Sequence, residues 1–146
     1  MVGGGVSPHN KEKVGKMATW NDVVAHLDAN YKCKKQSPTL IALSFAMPEN
    51  RSQVVWVETR GDEGFGEWVI VSSAVAGVDQ MNKLEKICRD VNKSFIGGVV
   101  IEGEYIMIRD AFPLANLDVN ELENPLRFVT LTAEVIEKNV TGGDRF

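Results

Sequence analysis

Apolar positions along the chain switch between helical and strand spacing, and the switches divide it into eight elements. Trp20, Val23, Val24, Leu27 and Tyr31 fall at offsets 0, 3, 4, 7 and 11, which predicts a helix over about 20–35 with Thr19 as its cap and Asp22 three residues on. After Pro38 the period changes to two. Ile41, Leu43 and Phe45 alternate within 39–46, Val55 and Val57 oppose Val54 and Trp56 within 53–59, and a third strand covers 67–73. The connections, Met47-Pro48-Glu49-Asn50-Arg51 and the Gly61–Gly66 turn, are too short for parallel crossovers, so these strands form an antiparallel meander.

Asp79 then caps a second predicted helix over about 80–94, with Met81, Leu84, Cys88, Val91 and Phe95 at offsets 0, 3, 7, 10 and 14. Gly97-Gly98 ends it. Residues 99–102 and 105–110 read as a tight hairpin around Gly103-Glu104. Asp118 with Glu121 signals a last helix, whose apolar stripe runs from Val119 through Leu122, Leu126, Val129, Ala133 and Ile136 to Val140. Pro125 interrupts that stripe. Its missing N–H would cost about 3 kcal/mol inside a helix, so the pattern favours a short turn over 118–123, then the main helix with Asn124 as cap. The expected fold is α+β, in the order α-β-β-β-α-β-β-α, with a twisted antiparallel sheet covered by helices on one face. Residues 1–17 read as a disordered extension, 18–140 as one domain and 141–146 as a frayed tail.

Length agrees with one domain: 146 residues, 44% of them hydrophobic, suffice for a core without disulfides or metal. The net charge of −4 divides unevenly, with +3 over residues 1–36 and −7 over the remainder. The lysines near position 35 suit the carbonyl end of the first helix. Net acidity with no basic run beyond Lys34-Lys35 argues against nucleic acid, which is held by phosphate neutralisation. No stretch approaches 18 apolar residues and no signal-peptide core opens the chain, so the sequence reads as cytoplasmic, with no membrane partner and two reduced thiols.

Candidate chemistry is sparse. His9 lies in the extension and His26 has only Asn30 at helical spacing, so the pattern supplies no metal ligands and no cofactor site. Cys88, on the apolar stripe, reads as a buried, inert thiol, whereas Cys33 beside Lys32, Lys34 and Lys35 is the more reactive one if exposed. Gly64-Phe65-Gly66 precedes a strand rather than a helix and so is a hairpin turn, not a phosphate loop. No catalytic residue is expected. What remains is apolar surface: Trp56 points away from Val55 and Val57, and Trp68 with Ile70 lies opposite Val69 and Val71, so both sheet faces carry large apolar groups. Either a partner covers the second face or the remaining helix does.

Three segments add a resemblance. Pro48–Glu58 (PENRSQVVWVE), Gly66–Ser73 (GEWVIVSS) and Gly98–Asp118, whose Ile106–Asp118 stretch spells IMIRDAFPLANLD, resemble in this order the type III secretion chaperone-like superfamily, including the YbjN group and the Tir chaperone type. Pro125 and the 17-residue extension depart from its pattern. The resemblance implies a non-enzymatic, commonly homodimeric protein that holds a partner segment on its surface. Trp20, Trp56 and Trp68 are the candidate anchors for that segment, since large aromatics dominate such interfaces. Met81, Leu84, Cys88 and Val91 are the candidates for subunit contact, unless the same stripe covers the sheet. A regulatory adaptor or sensor of the YbjN type, with no secretion role, is the alternative on the same fold.

Overall fold

The computed structural model describes residues 16–17, 19–94 and 97–146. A short strand β1 (Lys16–Met17) precedes helix α1 (Trp20–Asn30), and four strands follow: β2 (Cys33–Ser37), β3 (Leu40–Met47), β4 (Arg51–Asp62) and β5 (Gly66–Gly77). A 3-10 turn over Val78–Lys83 leads into α2 (Leu84–Val91). Strands β6 (Gly98–Glu102) and β7 (Tyr105–Pro113), the short β8 (Leu117–Asp118) and the long helix α3 (Val119–Thr141) complete the chain. The six long strands form one antiparallel sheet in the order β2-β3-β4-β5-β7-β6, while β1 pairs with β8. This is the expected α+β class, with a strand added at one edge.

Helix α1 begins where its sequence signal places it, with a reciprocal capping box between Thr19 and Asp22. It ends at Asn30 rather than near 35, because Tyr31 turns extended and its N–H closes on the Leu27 carbonyl. The lysines expected at a helix terminus therefore lie on β2, where Lys34 and Lys35 are exposed along the sheet edge. Such charges on a short edge strand discourage pairing with other chains.

Ile41, Leu43, Val55, Val57, Val69, Val71, Ile106 and Ile108 form the buried face of the sheet. Against it pack Val23 and Leu27 of α1, Ile87 and Val91 of α2, and Leu122, Leu126, Val129, Ala133, Ile136 and Val140 of α3. The β4–β5 ladder ends at Trp56–Ser72, beyond which β5 pairs only with β7. Side chains bridge that opening: buried Gln53 donates to Ser73 Oγ at 2.6 Å and to the Ala74 carbonyl at 3.2 Å.

Helix α3 is continuous through Pro125, contrary to the break that proline alone suggests. Burial of Leu122 and Leu126 on either side of it, and the Asp118–Glu121 capping box, hold the first two turns together. The tail does not fray. Gly142 takes the left-handed conformation that ends α3, and the N–H groups of Arg145 and Phe146 both donate to Glu137 Oε2 at 2.7 Å. Met17, placed by its sequence in the extension, belongs to the core. The rest of that extension, His9 included, and Phe95 lie outside the described residues.

Helix two is also shorter than its stripe. Gly77 rather than Asp79 precedes the 3-10 turn, with no side-chain cap, and the helical part is confined to 84–91. A 3-10 turn advances each residue about 120° instead of 100°, which takes Met81 out of line with the stripe of α2. Within α2 the buried side runs through Ile87 and Val91, and Cys88, expected inside, is exposed.

Candidate functional site

The second face of the sheet carries a charged bridge. Arg60 of β4 and Glu102 of β6, separated in the sheet by β5 and β7, are joined at 2.8 Å. Three strand spacings part their backbones by about 14 Å in a flat sheet, a span that these two long side chains bridge when extended. Glu102 also accepts from Arg109, and Arg60 reaches Glu58 at 2.8 Å. Ala42, Trp56, Ser72, Arg109 and Gly98 form one transverse row across this face. Trp56 thus stands between two small side chains and is half-buried. Ile70, Ser72, Ala74 and Met107 on the same face are buried.

The three tryptophans are not brought together. Trp20 lies at the start of α1, with its indole N–H donating to the Pro38 carbonyl at 2.9 Å. Trp68 lies on β5, its N–H donating to the Phe65 carbonyl of the preceding turn at 3.0 Å. Both are half-buried, Trp20 tied to the β2–β3 turn and Trp68 to the β4–β5 turn. Of the residues expected at a subunit contact, Met81 and Cys88 are exposed, Leu84 is packed partly against the core and Val91 is buried within it. The core takes part of that stripe.

The more open apolar surface lies on α3, on residues for which the sequence analysis assigned no role. Phe128, Leu131 and Val135 are 44, 48 and 58% exposed, at spacings of three and four, on the side opposite the buried stripe. One strip of α3 therefore carries apolar groups outward along two turns. On one flank, a groove of about 570 Å³ separates α3 from the end of β3, lined by Tyr31, Phe45, Met47, Leu126, Arg127 and Leu131 among others. On the other, a groove of about 380 Å³ separates Leu131 and Val135 from Asp90 and Lys93 at the end of α2. The signal that finds this strip is the second apolar period within 128–135, which the stronger core stripe masks.

A polar hub closes one end of the larger groove. Glu123 of α3 accepts from the Tyr31 hydroxyl and lies 2.6 Å from His26 Nε2, while Tyr31 and Phe45 meet edge to face at 5.5 Å. Partial burial, then the Glu123 bond and charge, raise the Tyr31 hydroxyl well above the ordinary tyrosine range. The partner expected to be missing for His26 comes from a helix 97 residues away.

The thiols also differ from expectation. Cys33 is half-buried and donates to Asp28 Oδ1 at 2.9 Å. That bond, with burial and the carboxylate's charge behind it, pushes the thiol up against the opposing influence of Lys35. Nearby lysines therefore do not make it the activated cysteine.

Among the described residues, one group of carboxylates is close enough to hold a metal ion: Glu134, Glu137 and Asp144, with ligand atoms within 4.8 Å. Most of their oxygens already have structural work, while Glu134 Oε2 is buried with no hydrogen-bond partner among the described residues. Arg51 donates to Glu134 and, at 3.5 Å, to Glu137; Glu137 holds the tail, and Asp144 accepts the Ser52 N–H at 3.2 Å. Burial raises the Glu137 carboxyl, opposed by the two backbone N–H bonds it accepts.

No helix among the described residues is long and apolar enough to cross a membrane. The chain matches no family model, and no curated protein or solved structure is significantly similar to it.

Proposed function

We propose that this chain is a non-enzymatic protein-binding module, of the kind its sequence resembles, which holds a segment of a partner protein against the outward face of α3. The observation that carries this reading is the Phe128–Leu131–Val135 strip with a groove on either flank. Contiguous exposed apolar side chains between grooves are the usual mark of an interaction site. Half-buried Trp56, on the other face of the sheet, is a second contact for the same partner.

A second copy of the chain is the competing occupant. Three half-exposed side chains supply on the order of 250 Å², whereas a stable dimer buries roughly 800 Å² per partner. The strip suits a segment lying in its grooves better than a self-standing dimer interface. Homodimerisation, which the resemblance implies, would need further surface, and Met81 and Cys88 are the members of the α2 stripe still available for it.

The test is co-purification from the native cell with wild-type protein and with Leu131→Asp, then rebinding of the retained protein in purified form. A partner that binds wild type directly and at least tenfold more weakly to Leu131→Asp supports the reading. Unchanged binding overturns it. Light scattering at micromolar concentration that shows a wild-type dimer and a monomeric Leu131→Asp assigns the strip to a second copy instead.

A further inference from the structure

Strand β3 is only half paired on its outer side. Its ladder with β2 runs from Ser37–Leu40 to Cys33–Leu43, and the last bond across that edge is from the Ser44 N–H to the Lys32 carbonyl at 3.2 Å. Strand β2 cannot continue, because Tyr31 is already the cap of α1 and its N–H is committed to Leu27. Within a strand the N–H and C=O of one residue point to the same side, and alternate residues share it. Since Ser44 faces the outer edge, Ala46 does too, and among the described residues neither its N–H nor its C=O has a partner there. Unlike β2, this stretch carries no lysine to block pairing.

The free edge lies beside the larger groove, which Ala46 itself lines. Phe45 and Met47 point to the groove side, and Leu126 and Leu131 of α3 form the opposite wall. The charges around this groove are mostly satisfied: Glu123 by His26 and Tyr31, Arg51 by Glu134 and Glu137, and Lys138 by Glu49 at 2.8 Å. Arg127 lines the groove, is exposed, and has no ion pair among the described residues. An unpaired guanidinium beside an apolar wall selects a carboxylate, which it grips in two parallel bonds.

We propose that the partner segment docks as an extended strand on the free end of β3, continuing the line of β2, with an apolar side chain in the groove and an Asp or Glu two residues away meeting Arg127. Strand addition supplies main-chain bonds at Ala46, and alternate side chains of the segment face the groove together. This rests on the protein-binding reading above and narrows it to one edge and one partner chemistry.

A phage-displayed library of random dodecapeptides, selected on the full chain, tests it. The enriched peptides are expected to carry an apolar–x–acidic pattern and to bind at least tenfold more weakly to Arg127→Glu and to Ala46→Pro, which removes the edge N–H. Because proline in β3 can disturb folding, hydrogen exchange on wild type gives the same answer independently: the Ala46 amide should become at least tenfold more protected when a selected peptide binds. Peptides that lose affinity for Leu131→Asp but ignore Arg127→Glu and leave Ala46 exchange unchanged overturn strand addition while the protein-binding reading stands. No enrichment, or binding indifferent to all three substitutions, overturns both.

Discussion

His26 of α1 and Glu123 of α3 are 97 positions apart in the chain and 2.6 Å apart in space, and the same carboxylate accepts the hydroxyl of Tyr31. One side chain on α3 thus fixes both the body and the end of α1, and with them the mouth of the groove beside β3. The hydroxyl of Tyr31 is held protonated there by burial and by Glu123. A group whose proton is held more tightly in the folded state lends stability below its unfolded pKa, near 10, and withdraws it as pH rises further. Tyr31→Phe is therefore expected to lower stability at pH 8 by about 1.5–3 kcal/mol, the worth of a hydrogen bond to a charged group, and the gap from wild type should narrow above pH 10. Urea unfolding of both proteins across pH 8 to 11 checks this, and a gap that widens with pH contradicts it.

Glu137 makes the opposite end of α3 sensitive to acid. Its carboxyl is raised by burial, so the folded state binds a proton more readily than the unfolded chain. That proton-linked stability is fully present below the ordinary glutamate pKa and is lost as pH rises through the raised folded value. The Glu137 contribution should therefore grow as pH falls from 7 toward 4.5. Glu137→Gln, which still accepts the Arg145 and Phe146 N–H bonds, should lie within about 1 kcal/mol of wild type at pH 7 and lack this gain. The difference between the two urea midpoints, measured at pH 7 and pH 5, reports it free of the other carboxylates.

Pro125 offers a direct test of the continuous α3. In a helix interior proline costs about 3 kcal/mol, partly offset by its lower entropy in the unfolded chain. Pro125→Ala should raise stability by roughly 2 kcal/mol. If a break lay at this position, as the sequence alone suggests, the substitution would leave the urea midpoint nearly unchanged or lower it.

The phase of α3 is checked by two neighbouring side chains. Ile136 is buried, so Ile136→Ala should destabilise by roughly 2–5 kcal/mol, whereas exposed Val135→Ala should stay within about 0.5 kcal/mol. Equal effects in thermal or urea unfolding would place the helix in another register.

Thiol chemistry separates the two cysteines. Cys88 is exposed, while the Cys33 hydrogen is held by Asp28. Ellman's reagent at pH 7.5 should modify Cys88 first, and Asp28→Asn should speed the slower reaction several-fold by removing the carboxylate's influence. A slow reaction unaffected by Asp28→Asn would remove that bond from the account.

Much of the fold was legible because its signals are local. The Thr19–Asp22 and Asp118–Glu121 capping boxes, the alternation in β3 and β4 and the Gly103 turn each depend on residues within about four positions of one another. Strand β2 escaped because four of its five residues, Lys34 to Ser37, are exposed, and an edge strand with no buried face leaves no alternation to read. Cys88 was misplaced because Ile87 and Cys88 both fit a helical stripe through Leu84 and Val91, and only packing decides which of the two faces the core. The candidate surface was the least legible part: the tryptophans stood out by size, yet all three are half-buried and two are tied to neighbouring turns, while Phe128, Leu131 and Val135 stayed hidden beside a stronger periodic stripe.

The sequence by itself determined the α+β class, the capping boxes that open α1 and α3 and the strands of the central meander, since these follow from periodicity and short-range hydrogen bonding. Only the tertiary structure decided that Pro125 lies within α3, that Glu137 pins the tail and that Glu123 joins α1 to α3. In each case, burial and long-range contacts outweigh the local preference, because a few kcal/mol of packing exceeds the cost of one broken backbone rule. It also decided which apolar groups stay outside. That outcome depends on how much of each face the packed elements leave uncovered, a quantity no window of neighbouring residues contains.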